Sequence, residues 1–210
     1  MALRILIADD HAVVRQGFRA LLEREGFEVV GEAVNGQDAV RLAAELKPDI
    51  ALLDVSMPLL NGLEAGREIQ RAHKDTQVVL LTMRAEDHLM AAALRGGIRA
   101  YVLKSQAAED LVLAIRAVAR HQIYLSPGLS RFVVDAYLNG ESAPVDPLAP
   151  RERQVLQLVA EGKTSKEIAV VLGLSTKTAD SYRARVMEKL DIHEIAGLVR
   201  YAIRQGIVEA

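Results

Sequence analysis

The chain has 210 residues, half of them hydrophobic and 26% charged, the composition of an ordinary globular protein with one large domain or two small ones. The absence of cysteine excludes disulfide frameworks and thiolate metal centres, and no apolar run reaches the ~18 residues of a membrane span. Net charge is −2, split into −4 over residues 1–147 and +2 over 148–210, a tilt too weak to indicate nucleic acid by itself.

The start, "MALRILIADD", lacks the apolar region and cleavage site of a secretory signal, so a cytoplasmic protein is expected. Five short runs then alternate with helical patterns: "LRILIAD" (3–9), "FEVVGEA" (27–33), "DIALLD" (49–54), "QVVLLT" (77–82) and "AYVLK" (100–104). Their near-continuous hydrophobicity suits strands covered on both faces. Between and after them, residues 11–25, 36–46, 62–73, 86–97 and 107–120 carry apolar residues at helical spacing, as Val14, Phe18, Leu21 and Leu22 do in the first. The alternation predicts an α/β fold with a doubly wound five-stranded parallel sheet over residues 1–120.

Residues 121–147 read differently. Four prolines fall between 127 and 150, and a short helical pattern surrounds Phe132 to Leu138, so this stretch is expected to be a linker with one helix. Strand signals then vanish. Residues 150–163, 164–174, 175–190 and 194–206 read as four helices of a smaller all-α domain over 148–210, with Gly162 and Gly173 at C-caps and Ser175 at an N-cap.

Ligands of an open parallel sheet bind beyond the carboxyl ends of its strands. The first strand delivers Asp9 and Asp10 there, the third Asp54, the fourth Thr82 and the fifth Lys104. An Asp after a strand is usually a turn or N-cap residue, but five such groups on four strands form a pattern. Adjacent carboxylates repel unless a cation neutralises them, and magnesium takes one or two carboxylates plus phosphate oxygens. Phosphoryl transfer to an aspartate fits this set: Asp10 and Asp54, with the Ser56 carbonyl, can hold Mg2+, while Lys104 and Thr82 bind the transferred group. No phosphate-cradling glycine loop is present, so the phosphoryl donor is another molecule.

The motifs "IADDH", "LLDVSMPLLNGLE", "VVLLT" and "AYVLKS" closely resemble the receiver domain of two-component response regulators across residues 1–120. The resemblance implies a flavodoxin-like strand order 2-1-3-4-5, with Asp54 taking phosphate from a sensor histidine kinase. It also implies that Asp9 completes the magnesium pocket and that Thr82 and Tyr101 form a switch. A half-buried strand residue with its hydroxyl at the surface is the other reading of Tyr101. Where many receivers have a cis-proline after the lysine, this chain has Ser105.

"TSKEIAVVLGL" and "STKTADSYRARVMEKL" have the spacing of a helix-turn-helix, with Ala179, Tyr182, Val186 and Leu190 on one stripe. Lys177, Asp180, Ser181, Ala184 and Arg185 lie opposite, with Arg183 at the edge, a face that a major groove roughly 12 Å wide could admit. A solvated helix would show the same periodicity. Residues 148–206 strongly resemble the DNA-binding domain of LuxR-type regulators, and the two resemblances together are those of a NarL/FixJ response regulator. They imply a non-enzymatic transcription factor that binds double-stranded DNA and forms a homodimer when phosphorylated or on a two-fold operator. By position, Lys166 meets phosphate and the exposed face of the second helix meets bases. Asp180 can accept from cytosine N4 or simply face solvent. Ala179 and Tyr182 stand where relatives often carry Val and His. The last helix has an apolar face, Leu198, Tyr201, Ala202 and Ile207, part of which packing within the domain explains; the resemblance implies that this helix, through Leu198 and Tyr201, mediates dimerisation. A phosphoester hydrolase and a constitutive DNA binder are the competing functions; the hydrolase commonly wants Asp-x-Asp where residues 9–11 read Asp-Asp-His.

Overall fold

The structure, a computed structural model, describes residues 2–83, 90, 93–94, 96–127 and 147–208. The chain divides into two compact units, a sheet-containing N-terminal one and a helical C-terminal one.

In the first unit, β1 (Arg4–Ala8), β2 (Glu28–Ala33), β3 (Ile50–Asp54), β4 (Gln77–Thr82), β5 (Ala100–Leu103) and β6 (Tyr124–Leu125) form one sheet in the order β2-β1-β3-β4-β5-β6. All five pairings are parallel. The described helices are α1 (Ala12–Arg24), α2 (Gly36–Leu46), α3 (Gly62–Ala72) and α4 (Ala107–Val118). β3 and β4 are buried at every position, as strands covered on both faces must be, whereas edge strand β2 is mostly half-buried. Ile5, Ile7, Ile50, Leu52, Val79, Leu81 and Val102 line up across the sheet and pack against Phe18, Leu22, Leu111 and Ile115 from α1 and α4.

Helix starts follow side-chain chemistry. Asn35 accepts the Asp38 N–H at 2.8 Å and Asn61 the Glu64 N–H at 2.9 Å, each satisfying a donor that the first turn leaves open.

The sixth strand corrects the five-stranded expectation. Residues 124–125, assigned to the linker from sequence, extend the sheet beyond β5. Two residues are too short to show a period, and the proline content nearby reads as linker. The helix expected over 86–97 lies largely outside the described residues, and the one near 132–138 lies wholly outside them.

The second unit comprises α5 (Pro150–Ala160), α6 (Ser165–Leu172), α7 (Thr176–Leu190) and α8 (Ile195–Arg204). Its core is Val155, Leu156, Leu158, Ile168, Leu172, Ala179, Val186, Leu198 and Ala202 with their neighbours. Thr164 starts α6 by a reciprocal pair with Glu167: the Thr164 N–H donates to Glu167 Oε2 at 2.7 Å, while the Thr164 side chain accepts the Glu167 N–H. Gly173 ends the helix at φ +63°, a left-handed turn that glycine enters without a Cβ penalty. Ser175 then caps α7 by accepting the Thr178 N–H at 3.1 Å.

Candidate phosphoacceptor pocket and nucleic-acid interface

The acid pocket lies where β1 and β3 end side by side. Ala8 pairs with Leu53, so Asp9 and Asp54 emerge at the same level of adjacent strands. Asp54 pairs with Leu81, which sets Thr82 one residue further along β4. Thr82 in turn pairs with Leu103, and Lys104 follows. Parallel register thus delivers four side chains to one rim.

Asp9 is wholly buried and Asp54 is 2% exposed. Lys104 Nζ stands between them, 2.7 Å from Asp9 Oδ2 and 2.9 Å from Asp54 Oδ1. Burial pushes the Asp54 carboxyl up to about 6; the Asp9 charge adds to the rise, while Lys104 and the Ser56 N–H restrain it. For Lys104 burial disfavours the ammonium, but Asp54 and Asp9 outweigh it and raise its pKa.

Asp10 stands at the mouth with a third of its side chain exposed, and His11 Nδ1 lies 2.8 Å from its Oδ1. The His11 N–H donates to Asp9 Oδ1 at 2.8 Å. Arg15 donates to the Asp9 carbonyl at 2.7 Å and pairs with Glu32 at 3.2 Å, clamping the start of α1. One ligand atom from each of Asp9, Asp10, His11 and Asp54 can lie within 4.8 Å of the others. Three carboxyl groups face one amine, an excess of acidic oxygen over cation. That balance and the hard oxygen donors fit a divalent cation such as magnesium.

Two residues here carried no distinct signal in the sequence. Gly62 approaches the β3 end so closely that a Cβ would lie 2.0 Å from the Asp54 carbonyl oxygen, and its N–H donates to Val55 O at 2.9 Å. His11 was legible only as a neighbour of the acid pair. Tyr101 is 2% exposed, so its ring is inside the sheet's packing rather than half-buried at the surface.

On the second unit, α6, the Gly173 turn and α7 form the expected helix-turn-helix. Ala179 and Val186 are buried and Tyr182 and Leu190 half-buried, while Lys166, Lys177, Asp180, Ser181, Ala184 and Arg185 are exposed and Arg183 is intermediate. Two contacts order this face. Ser181 Oγ donates to the Lys177 carbonyl at 2.9 Å, and the Arg185 guanidinium lies 5.7 Å from the centre of the Tyr182 ring, within cation–π range. Lys189 anchors the helix at 2.7 Å from Glu152 Oε2. Burial opposes that carboxylate's charge, but Lys189 and the Ala149 N–H hold its pKa below the usual range.

The last helix departs from expectation. Leu198 is wholly buried, as are Ala202 and nearly all of Ile207, because they close this unit's own core; Leu198 has no surface to offer a second copy. Tyr201 is half-buried, and the exposed large apolar side chains of α8 are Ile195 and Ile203.

Among the described residues no helix is long and apolar enough to cross a membrane. The response regulator receiver domain model matches residues 5–116, and that of the bacterial regulatory proteins of the luxR family matches 146–202. The response regulator GacA of Pseudomonas aeruginosa is 38% identical over 211 residues, covering 99% of each chain. UvrY, a response regulator of Escherichia coli strain K12, is 37% identical over 211 residues, covering 99% of this chain and 97% of its own. Among solved structures, RcsB of Salmonella enterica serovar Typhimurium, bound to promoter rprA with the phosphomimetic BeF3−, is 30% identical. It aligns with a TM-score of 0.64 over 96% of this chain and 98% of its own. With both family models matching in the order receiver then luxR-type domain, and relatives of this identity matching end to end, the chain belongs to the NarL/FixJ-type response regulators.

Proposed function

We propose that this protein is a phosphorylation-controlled transcription factor in which Asp54 accepts a phosphoryl group from a sensor histidine kinase and thereby controls dimerisation and DNA binding. The observation that carries the reading is the buried triplet of Asp54, Lys104 and Asp9, with Lys104 within 2.9 Å of both carboxylates. A carboxylate oxygen of Asp54 attacks the phosphorus of the kinase's phosphohistidine. A P–O bond forms as the P–N bond breaks, and the electron pair returns to the imidazole. Lys104 holds charge on the transferred oxygens, and Thr82 offers them a hydroxyl. Asp9, Asp10 and Asp54, with the Ser56 carbonyl, would hold Mg2+, which when bound supplies neutralising charge to the phosphoryl oxygens. Tyr101, buried on β5 two residues before Leu103, responds to the shift of Thr82. Self-dephosphorylation is weak, and no further catalysis is assigned.

For DNA, Lys166 contacts phosphate, and Lys177, Asp180, Ser181, Arg183, Ala184 and Arg185 face the groove. The exposure of that face and the promoter-bound, phosphomimetic-bound relative support this assignment and the coupling between units. The protein acts in the cytoplasm, binding as a dimer to a two-fold operator, with Tyr201 of α8 near the contact. The functional boundaries are 1–120 for the receiver, 121–147 for the connection, less its two-residue strand, and 148–210 for DNA binding. Incubation with acetyl phosphate and magnesium adds one phosphoryl group to the wild type and none to Asp54→Asn. Label that persists on the variant refutes the assignment.

A further inference from the structure

The segment after α4 does more than end the sheet. β6 is held to β5 by the Tyr124 N–H donating to the Arg99 carbonyl at 2.8 Å and the Ser126 N–H donating to the Tyr101 carbonyl at 3.2 Å. One step further the ladder changes partner: the Leu103 N–H is accepted at 3.2 Å by the Ser126 side-chain oxygen. That same hydroxyl donates to the Asp110 carboxylate on α4. Tyr124 is hydrogen-bonded to Asp110 as well; burial and then this contact push its phenol up to about 12, so it remains a donor. Ser126 is wholly buried and Asp110 is 8% exposed.

A serine hydroxyl has one proton, and here Asp110 takes it, which fixes the lone pairs toward Leu103. Leu103 is the residue before Lys104 and the register partner of Thr82, while Leu125 is the register partner of Tyr101. Of the three groups assigned to the phosphate response, Tyr101 therefore sits on the ladder that Ser126 closes, Lys104 follows the residue whose N–H Ser126 accepts, and Thr82 pairs with that residue from the other side of β5. Pro127 follows, with no N–H to continue the ladder, and in sequence residues 128–146 then connect to the second unit.

We propose that Asp110, Ser126 and Tyr124 form a latch that positions the end of β5, and so Lys104 and Tyr101, and transmits its movement on phosphorylation into the segment joining the two units. The proposal rests on Asp54 being the phosphoacceptor. Its members are positioning residues: none touches the acid pocket. A shift of Leu103 toward the pocket draws on the Ser126 oxygen, and Ser126 moves with β5 or parts from Asp110. Either way the start of the connecting segment reports the state of Asp54. Buried hydrogen-bonded pairs suit this use because they hold in one of two arrangements rather than deform continuously.

The test uses the full chain with magnesium and beryllofluoride. It measures amide hydrogen exchange at 101–103 and 124–126, and binding to a duplex enriched from a random pool by the wild-type protein. In the wild type, beryllofluoride changes exchange in both segments and raises DNA affinity roughly 5–150-fold. Ser126→Ala still takes up one phosphoryl group from acetyl phosphate, but its exchange at 124–126 no longer responds and its affinity gain falls toward unity. Ser126→Thr, which keeps the hydroxyl, restores both. A Ser126→Ala protein with the full wild-type gain overturns the latch. So does a wild type whose exchange at 124–126 ignores beryllofluoride, a measurement that needs no variant to fold. Wild-type protein that takes up no phosphoryl group on Asp54 overturns instead the reading on which the latch rests.

Discussion

Replacing Asp54 with asparagine should stabilise the magnesium-free receiver at neutral pH and leave it unchanged in acid. The Asp54 carboxyl is raised from 3.8 to about 6 by burial and by Asp9, so the folded state holds its proton where the unfolded chain has released it. Stability from this group is fully present below pH 4 and is lost as pH rises through 6. The shift of about 2 units at 1.36 kcal/mol each makes the loss about 3 kcal/mol above pH 7. The asparagine amide has no such proton to lose and avoids the penalty. The β3 amides Ile50–Leu53, in the most buried strand pair, report opening of this unit within the full chain by hydrogen exchange. In chelator, the variant's β3 amides should gain about 3 kcal/mol at pH 8 and nothing at pH 4. Magnesium at 100 times its Kd should return about 2.7 kcal/mol to the wild type and bring the two proteins level. A variant no more protected than the wild type at pH 8, or equally favoured at both pH values, would show that Asp54 is not strained in the empty pocket.

Four further changes probe other features. Gly62→Ala puts a Cβ 2.0 Å from the Asp54 carbonyl, so the β3–α3 turn must move; acetyl phosphate labelling should slow markedly while the DNA-binding unit's circular dichroism is unchanged. Leu198→Ala should destabilise the C-terminal unit by about 2–5 kcal/mol in urea titration, because the side chain fills that unit's core; a loss confined to dimerisation refutes its core role. Lys166→Ala should weaken specific and random DNA alike and lower the salt slope by about one, read from binding across salt concentrations. Arg185→Ala should cost about 1–3 kcal/mol and relax specificity; equal loss on every sequence makes Arg185 a phosphate contact.

The pocket was legible because parallel strands deliver their last residues to one rim, so Asp9, Asp54, Thr82 and Lys104 could be placed from the ends of apolar runs alone. The helix-turn-helix was legible for a similar reason: Gly173 and Ser175 punctuate it by known capping chemistry, while the Thr164 cap emerged only with its Glu167 partner in place. β6 was not. Its two residues carry no period, and the contacts that hold it, backbone bonds to Arg99 and Tyr101 and the Ser126 hydroxyl on Asp110 sixteen residues away, follow no local pattern. Leu198 could not be divided between core and dimer contact, because an apolar helix face looks the same whether it meets its own core or another chain; its burial in the unit's core is visible only in the fold. Tyr101 was named from the resemblance, but its burial was left open, since an aromatic on a strand can be inside or at the rim. Gly62 is invisible for want of any side chain; only the approach of Asp54's backbone shows what it permits.

The two ends of the sheet bear on how copies of this protein can meet. At the β5 side, the outward amide of Leu103 and the outward carbonyls of Arg99 and Tyr101 are already engaged by Tyr124 and Ser126. At the β2 side, the pairing with β1 slips between Ile5 and Leu6, and the strand carries Glu28 and Glu32, the latter gripped by Arg15 and Arg19. An irregular, charged strand on one flank and a spent ladder on the other are poor templates for strand addition. Among the described residues, both ends of the sheet thus disfavour strand addition, the second being closed by a strand of only two residues, which leaves helices and loops as the better surfaces for association that must meet and part without leaving a polymer behind.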